Sequence, residues 1–216
     1  NALTGGRLVL AGVFFVLLSF YQHDGHGDPW LLNIAFVVYV VALVTDFLDG
    51  YLARLWKVEG AFGRVVDPLV DKVLVIGSFI FFAGKNFIVA ETARNLGAHE
   101  VVKTISGVAP GMVVLLLTRE LLVTSLRGSA EGGGESFGAV WAGKFKMAFQ
   151  SGTILVILAY VNYVDRSASL TDAQKQWAAW ARDACIWGTV AITVYSGLIY
   201  VQRAVSMYRK SLKAAA

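Results

Sequence analysis

The sequence predicts an all-α protein: an integral membrane bundle of six transmembrane helices, forming a single domain over residues 1–216. Three observations predict it. Hydrophobic residues make up 56% of the chain and charged residues only 16%, where soluble domains carry about one quarter charged residues. The mean hydropathy is +0.61, with three prolines and no polar tract longer than a loop, which excludes a disordered or collagen-like chain. Apolar stretches recur six times along the chain, each bounded by polar residues.

The first stretch, residues 8–21, has no small-residue cleavage site behind it and reads as a retained helix, not as a signal peptide. The others centre on residues 30–45, 73–83, 105–118, 147–164 and 184–201. Several fall short of the roughly 20 residues that span a bilayer and reach that length only by taking in polar neighbours at one end. In a six-pass zigzag those polar ends share one leaflet: Arg7, then Asp46, Asp49 and Arg54, then Asp67, Asp71 and Lys72, then Arg119, Glu120 and Arg127, then Lys144 and Lys146. Thirteen of the 19 Lys and Arg residues fall on that side, which the positive-inside rule makes cytoplasmic, together with both termini.

The net charge of +4 therefore reports which way the loops face, and no nucleic-acid partner is expected. Cys185 is the only cysteine, so neither an intrachain disulfide nor a cysteine metal site can form. Residues 84–103 and 127–143 read as the longer connections. The run Gly128 to Gly134 in the second reads as a flexible hinge or lid, because a phosphate cradle needs a strand before it and a helix start after it. His23, Asp24, His26 and Asp28 have a metal-like composition but fall on the opposite side, and are expected to have no functional metal.

The chemistry concentrates in four acids. Asp46 and Asp49 are three residues apart, and Asp67 and Asp71 four apart, so each pair projects from one face of its helix. An intramembrane carboxylate costs about 2.5–3.5 kcal/mol, so four together cost on the order of 10 kcal/mol before repulsion. Two compensations are open: pairing with nearby cations such as Arg54, Arg64 or Lys72, or binding of Mg²⁺ or Mn²⁺, for which hard oxygen ligands on opposed helices are suited as a two-metal centre. Gly50, Ala53 and Gly63 leave room for a nucleotide to approach the backbone, and Arg54 would meet a phosphate. Pro68 implies either that the third helix starts near Asp67 or that it bends there.

The string Asp46-x2-Asp49-Gly50-x2-Ala53-Arg54-x8-Gly63-x3-Asp67-x3-Asp71 resembles, at every defined position, the signature of the CDP-alcohol phosphotransferase family. The resemblance implies a six-helix membrane enzyme, usually a homodimer among membrane lipids, that moves a phosphatidyl or related group from a CDP-linked lipid to an alcohol and releases CMP. It further implies that Asp46, Asp49 and Asp67 bind the two-metal centre, and that Asp71 is the base while also near a metal. Outside the signature, Asn1-Ala2-Leu3-Thr4-Gly5-Gly6-Arg7, Thr118-Arg119-Glu120-Leu121 with Arg127, and Gly143-Lys144-Phe145-Lys146 resemble elements of the branch that uses CDP-diacylglycerol as donor and glycerol 3-phosphate as acceptor. Met147 stands where that branch has a threonine.

Thr4 and Arg7 are expected either to contact the CDP-lipid phosphates or to anchor the chain at the interface, and Arg119, Arg127, Lys144 and Lys146, on the same leaflet, either to hold the acceptor's phosphate or to anchor against lipid headgroups. No Ser, Cys or His accompanies the acids in these motifs, so a direct displacement is expected, with Asp71 taking the hydroxyl proton. Two alternatives stand beside this one. A sibling enzyme would use inositol phosphate, serine or phosphatidylglycerol as acceptor. A transporter or structural membrane protein would pair its acids internally, although transporters usually show repeats or broken midplane helices.

Overall fold

The computed structural model describes residues 2–23, 28–56, 61–89, 103–132 and 141–214, with the side chains of 2–4, 49–56, 61–68, 130–132, 141, 142, 144 and 208–214 outside the description. It is all-helical: the described residues form six α-helices and no strand, with one isolated antiparallel bridge between Ile88 and Thr104. They are α1 (Ala2–Phe20), α2 (Pro29–Trp56), α3 (Ala61–Phe82), α4 (Pro110–Gly132), α5 (Trp141–Ala159) and α6 (Asp172–Ala214). A five-residue π segment, Tyr160–Val164, closes α5, with Asp165 N donating to the Tyr160 carbonyl at 3.0 Å.

Among the described residues, three stretches are long and apolar enough to cross a membrane: Pro29–Leu48, Phe145–Val164 and Asp172–Met207. Gly5–Phe20 forms a shorter apolar helix. At 1.5 Å per residue, α6 with its 43 residues is about 64 Å long, so it exceeds the roughly 30 Å hydrocarbon layer.

α1 lies against α2 and α3, while α6 lies against α4 and α5. The two trios join through α2 with α5, α3 with α4 and α3 with α5. Among the described residues the main core is built on Phe14, Leu18, Tyr39, Phe79, Leu116 and Ile157, all at most 2% exposed, and a second small cluster joins Val123 and Tyr200. The outward faces are apolar too, with Val9, Val37, Val44, Leu69, Val114 and Leu198 all exposed. A surface that stays apolar on the outside as well as the inside suits lipid and not water.

Helix ends are set by local chemistry. Asp28 accepts a hydrogen bond from Trp30 N at 2.9 Å ahead of Pro29, an N-cap followed by a proline at the first helical position. This gives Asp28 a structural task. Thr171 and Gln174 form a capping box at the start of α6. Two expectations change. The fourth apolar stretch does not begin its helix at Ile105, because Ser106 Oγ donates to the last carbonyl of α3, Phe82, and Gly107 takes a φ of +75°. A Cβ at Gly107 would also stand 2.7 Å from Asp183 Oδ1, so only glycine fits there. Nor is the glycine-rich run a loop from its start, since α4 continues helical to Gly132; residues 133–140 lie outside the described residues. Pro68 falls well inside α3, so the helix does not start at Asp67.

Candidate active site

The polar helix ends foreseen from sequence do meet. The N-terminal parts of α1, α3 and α5 and the C-terminal parts of α2, α4 and α6 lie together at one end of the bundle, and the charged side chains there form two adjoining clusters.

The first cluster is acidic and sits on α1–α3. Arg7 is only 4% exposed, yet it is the central cation: its Nη1 lies 2.9 Å from Asp46 Oδ1 on α2, and its Nη2 pairs with Asp71 Oδ1 on α3. Because α1 packs between α2 and α3, one guanidinium reaches carboxylates from both neighbours. Asp46 is 39% exposed at its side chain and Asp71 16%, so the pair lies at a rim and not deep in the core. Asp49 follows Asp46 by three residues along helical α2, and Asp67 precedes Asp71 by four along helical α3. The side chains of Asp49, Asp67, Thr4, Gly50, Ala53, Arg54 and Gly63 lie outside the described residues, as does that of Lys144.

The second cluster is cationic and sits on α4–α6. Glu120 is held by Arg119 Nη1 at 2.7 Å and by Lys146 Nζ from α5, both of them nearly buried. Arg119 Nη2 also donates to Ser196 Oγ on α6, and Arg127 Nη2 donates to the Tyr200 hydroxyl at 2.7 Å. Lys72, next in sequence to Asp71, turns toward α4 and donates to Thr124 Oγ1 at 2.7 Å. Four cations, Lys72, Arg119, Arg127 and Lys146, thus lie within electrostatic reach of one another, and two of them pair with Glu120. The excess positive charge is accompanied by unused donors, since the buried Nε groups of Arg119 and Arg127 have no hydrogen-bond partner. Donors of this kind have hydrogen-bonding capacity that an anion could use.

The structure therefore brings together Arg7, Asp46 and Asp71 in one cluster, and Arg119, Arg127 and Lys146 in the other. It also shows participants that the sequence alone does not single out: Lys72 as a member of the cationic group, and Ser196 and Tyr200 on the last helix, which sit in an apolar stretch without a motif. At the opposite end, His23 shares a 3.1 Å contact between Nδ1 and the Tyr21 hydroxyl, and its Nε2 faces Asp165 at 3.6 Å. Asp24 and His26 lie outside the described residues, and no group of three metal-type ligands occurs among the described ones.

A helical bundle with an apolar outer surface, an acid cluster and an adjoining cation cluster at one rim defines a class: a membrane-type helical protein with its charge gathered at one end. The family model for CDP-alcohol phosphatidyltransferase matches residues 1–202, and the chain belongs to that family. Three relatives carry the name CDP-diacylglycerol--glycerol-3-phosphate 3-phosphatidyltransferase. The one from Yersinia enterocolitica is 35% identical, covering 72% of this chain and 74% of the relative. That from Haemophilus influenzae is 33% identical over 77% and 78%. That from Cereibacter sphaeroides is 27% identical but covers 94% of both chains. The family is in general metal-dependent.

Proposed function

We propose that the chain transfers the phosphatidyl group of CDP-diacylglycerol to glycerol 3-phosphate, giving phosphatidylglycerophosphate and CMP by direct displacement. The observation that carries this reading is the side-by-side placement of an acid centre on α1–α3 and a cation pocket on α4–α6. A nucleotide donor with a diphosphate and an acceptor with its own phosphate dianion need two such sites. The name that the relatives carry gives the same donor and acceptor.

The acids fit a divalent centre in the chemistry of their donors. Oxygens of Asp46 and Asp71, on separate helices, already converge on one cationic group, and hard carboxylates are what Mg²⁺ and Mn²⁺ take. Asp46, Asp49, Asp67 and Asp71 are the residues that would hold two such ions. When bound, the metal supplies neutralisation of the diphosphate and of the charge developing on CMP. The chain's own groups do the rest. Asp71 accepts the proton of the attacking hydroxyl, and Arg7 balances the charge of Asp46 and Asp71 while lying beside the donor's phosphates together with Thr4. Gly50, Ala53 and Gly63 admit the nucleotide, and Arg54 meets its phosphate. Arg119, Arg127, Lys144 and Lys146 bind the acceptor's phosphate, and Glu120 holds two of them in place.

In the same reading all six helices cross the inner cell membrane, the site and both termini face the cytoplasm, and residues 1–216 act as one domain within a homodimer. The thirteen cations on the site side support that orientation. The test is CMP release from CDP-diacylglycerol by the purified full chain in detergent, with glycerol 3-phosphate, inositol phosphate, serine and phosphatidylglycerol as separate acceptors and Mg²⁺ or Mn²⁺ present. Release with glycerol 3-phosphate alone is expected. Release with another acceptor selects a sibling activity, and release with none overturns the reading.

A further inference from the structure

We propose that the last helix carries the positioning element of the acceptor pocket: Tyr200, seated between Arg119 and Arg127, sets both guanidinium groups for a phosphate dianion. The inference rests on the acceptor reading of those two arginines given above, and adds a residue outside every motif.

Tyr200 is 1% exposed. Its ring lies under both cations, with the Cζ of Arg119 5.6 Å and that of Arg127 5.3 Å from the centroid. Its hydroxyl accepts from Arg127 Nη2 at 2.7 Å. One turn earlier, Ser196 accepts from Arg119 Nη2, so α6 holds one edge of each guanidinium. Two guanidiniums this close repel, and the negative face of a ring shared between them offsets part of that repulsion. What α6 does not use is left for a ligand, namely the buried Nε donors of both arginines.

The packing around Tyr200 leaves little freedom. A Cβ on Gly197 would stand 3.2 Å from Arg119 Cγ, and a Cβ on Gly143 3.3 Å from the Tyr200 hydroxyl. Both distances are tighter than ordinary contact, so these glycines admit the arginine stem and the phenol at close range. The Tyr200 hydroxyl is thereby caught between Gly143 on α5 and Arg127 on α4. Cations fixed in this way lose little freedom when the phosphate arrives.

The experiment is steady-state kinetics of the full chain in detergent with a divalent metal, varying glycerol 3-phosphate and CDP-diacylglycerol in turn. Tyr200→Phe keeps the ring and removes the hydroxyl, and should raise the KM for glycerol 3-phosphate by about 3- to 10-fold. Tyr200→Leu removes the ring as well and should raise it by about a further 3-fold or more. In both, the KM for CDP-diacylglycerol should stay within about twofold, a split that general loosening of the fold would not give. Gly143→Ala should raise the acceptor KM in the parent chain and have no added effect on Tyr200→Phe, which has no hydroxyl left to displace. If both Tyr200 variants leave the acceptor KM unchanged, or raise both KM values together, positioning by Tyr200 is overturned. If Arg119→Ala and Arg127→Ala leave the acceptor KM unchanged, the acceptor reading itself fails.

Discussion

The two ends of the bundle use polar side chains in different proportions. At the far end, beside the pairs Arg182–Asp183 and His23–Asp165, polar groups complete the backbone. Asn86 Nδ2 donates to the carbonyls of Leu18 and Ser19 at 2.9 and 3.1 Å, closing α1, and Arg182 Nη1 donates to the Ile105 carbonyl at 2.5 Å. Lys175 donates to the Asp165 carbonyl and Ser106 to that of Phe82. Apart from that of Ile105, which lies in the turn before α4, these are carbonyls that helix termini leave without partners. At the site end, charged side chains engage one another, two carboxylates share one arginine, and two arginines keep unused buried donors. The first pattern holds a fold together and needs nothing more. The second leaves buried donors unused, and it is the end where both substrates are proposed to bind.

The strongest way to break that contrast is to withdraw the divalent metal. With chelator in excess, CMP release should stop, and it should return on adding Mg²⁺ or Mn²⁺. Unchanged turnover would make the acids on Arg7 a purely structural ion-pair group, equivalent to the far end. Next in size is Asp71→Asn, which keeps the shape of the side chain and removes the base. It should lower kcat by about 10²- to 10⁴-fold in the same assay, the range expected for loss of a general base. A loss under about tenfold would assign proton removal to another group.

Arg127→Ala separates the two clusters within the site end. It should raise the KM for glycerol 3-phosphate about 10- to 100-fold, as expected for losing a charge-assisted contact, and leave the KM for CDP-diacylglycerol nearly unchanged. The reverse pattern would move Arg127 into the donor site and merge the two clusters into one.

Much of this was legible in the sequence because charge near a bilayer is costly enough to be informative. The six apolar stretches each correspond to a helix, and the polar ends assigned to one leaflet do converge through Arg7, Lys72, Arg127 and Lys146. The partner of the acids was not legible. Arg54, Arg64 and Lys72 are near in sequence, but the described cation is Arg7 from α1, and Lys72 turns to α4 because adjacent residues on a helix do not face the same way. The helical stretch up to Gly132 was missed because glycines suggest a loop, whereas extending an existing helix over one glycine costs only about 1 kcal/mol once nucleation is past. Tyr200 was missed because nothing local distinguishes a tyrosine under two arginines from one facing lipid. Whether Asp49 and Asp67 join the acid centre was expected from sequence, and their side chains lie outside the described residues.

The smallest expected effect tests the far end. Asn86→Ala removes both donors to the end of α1 and leaves no charge unpaired, so it should cost on the order of 1 kcal/mol. For a chain of this size that corresponds to a fall in Tm of about 2–4 °C, read by thermal unfolding in detergent. Both KM values and kcat should stay within about twofold, because additivity holds between sites far apart with no shared partners. A several-fold rise in the acceptor KM from this substitution would mean that the closure of α1 at one end sets the position of Arg7 at the other. The helix would then transmit strain along its length, and the division between a structural end and a reactive end would fail.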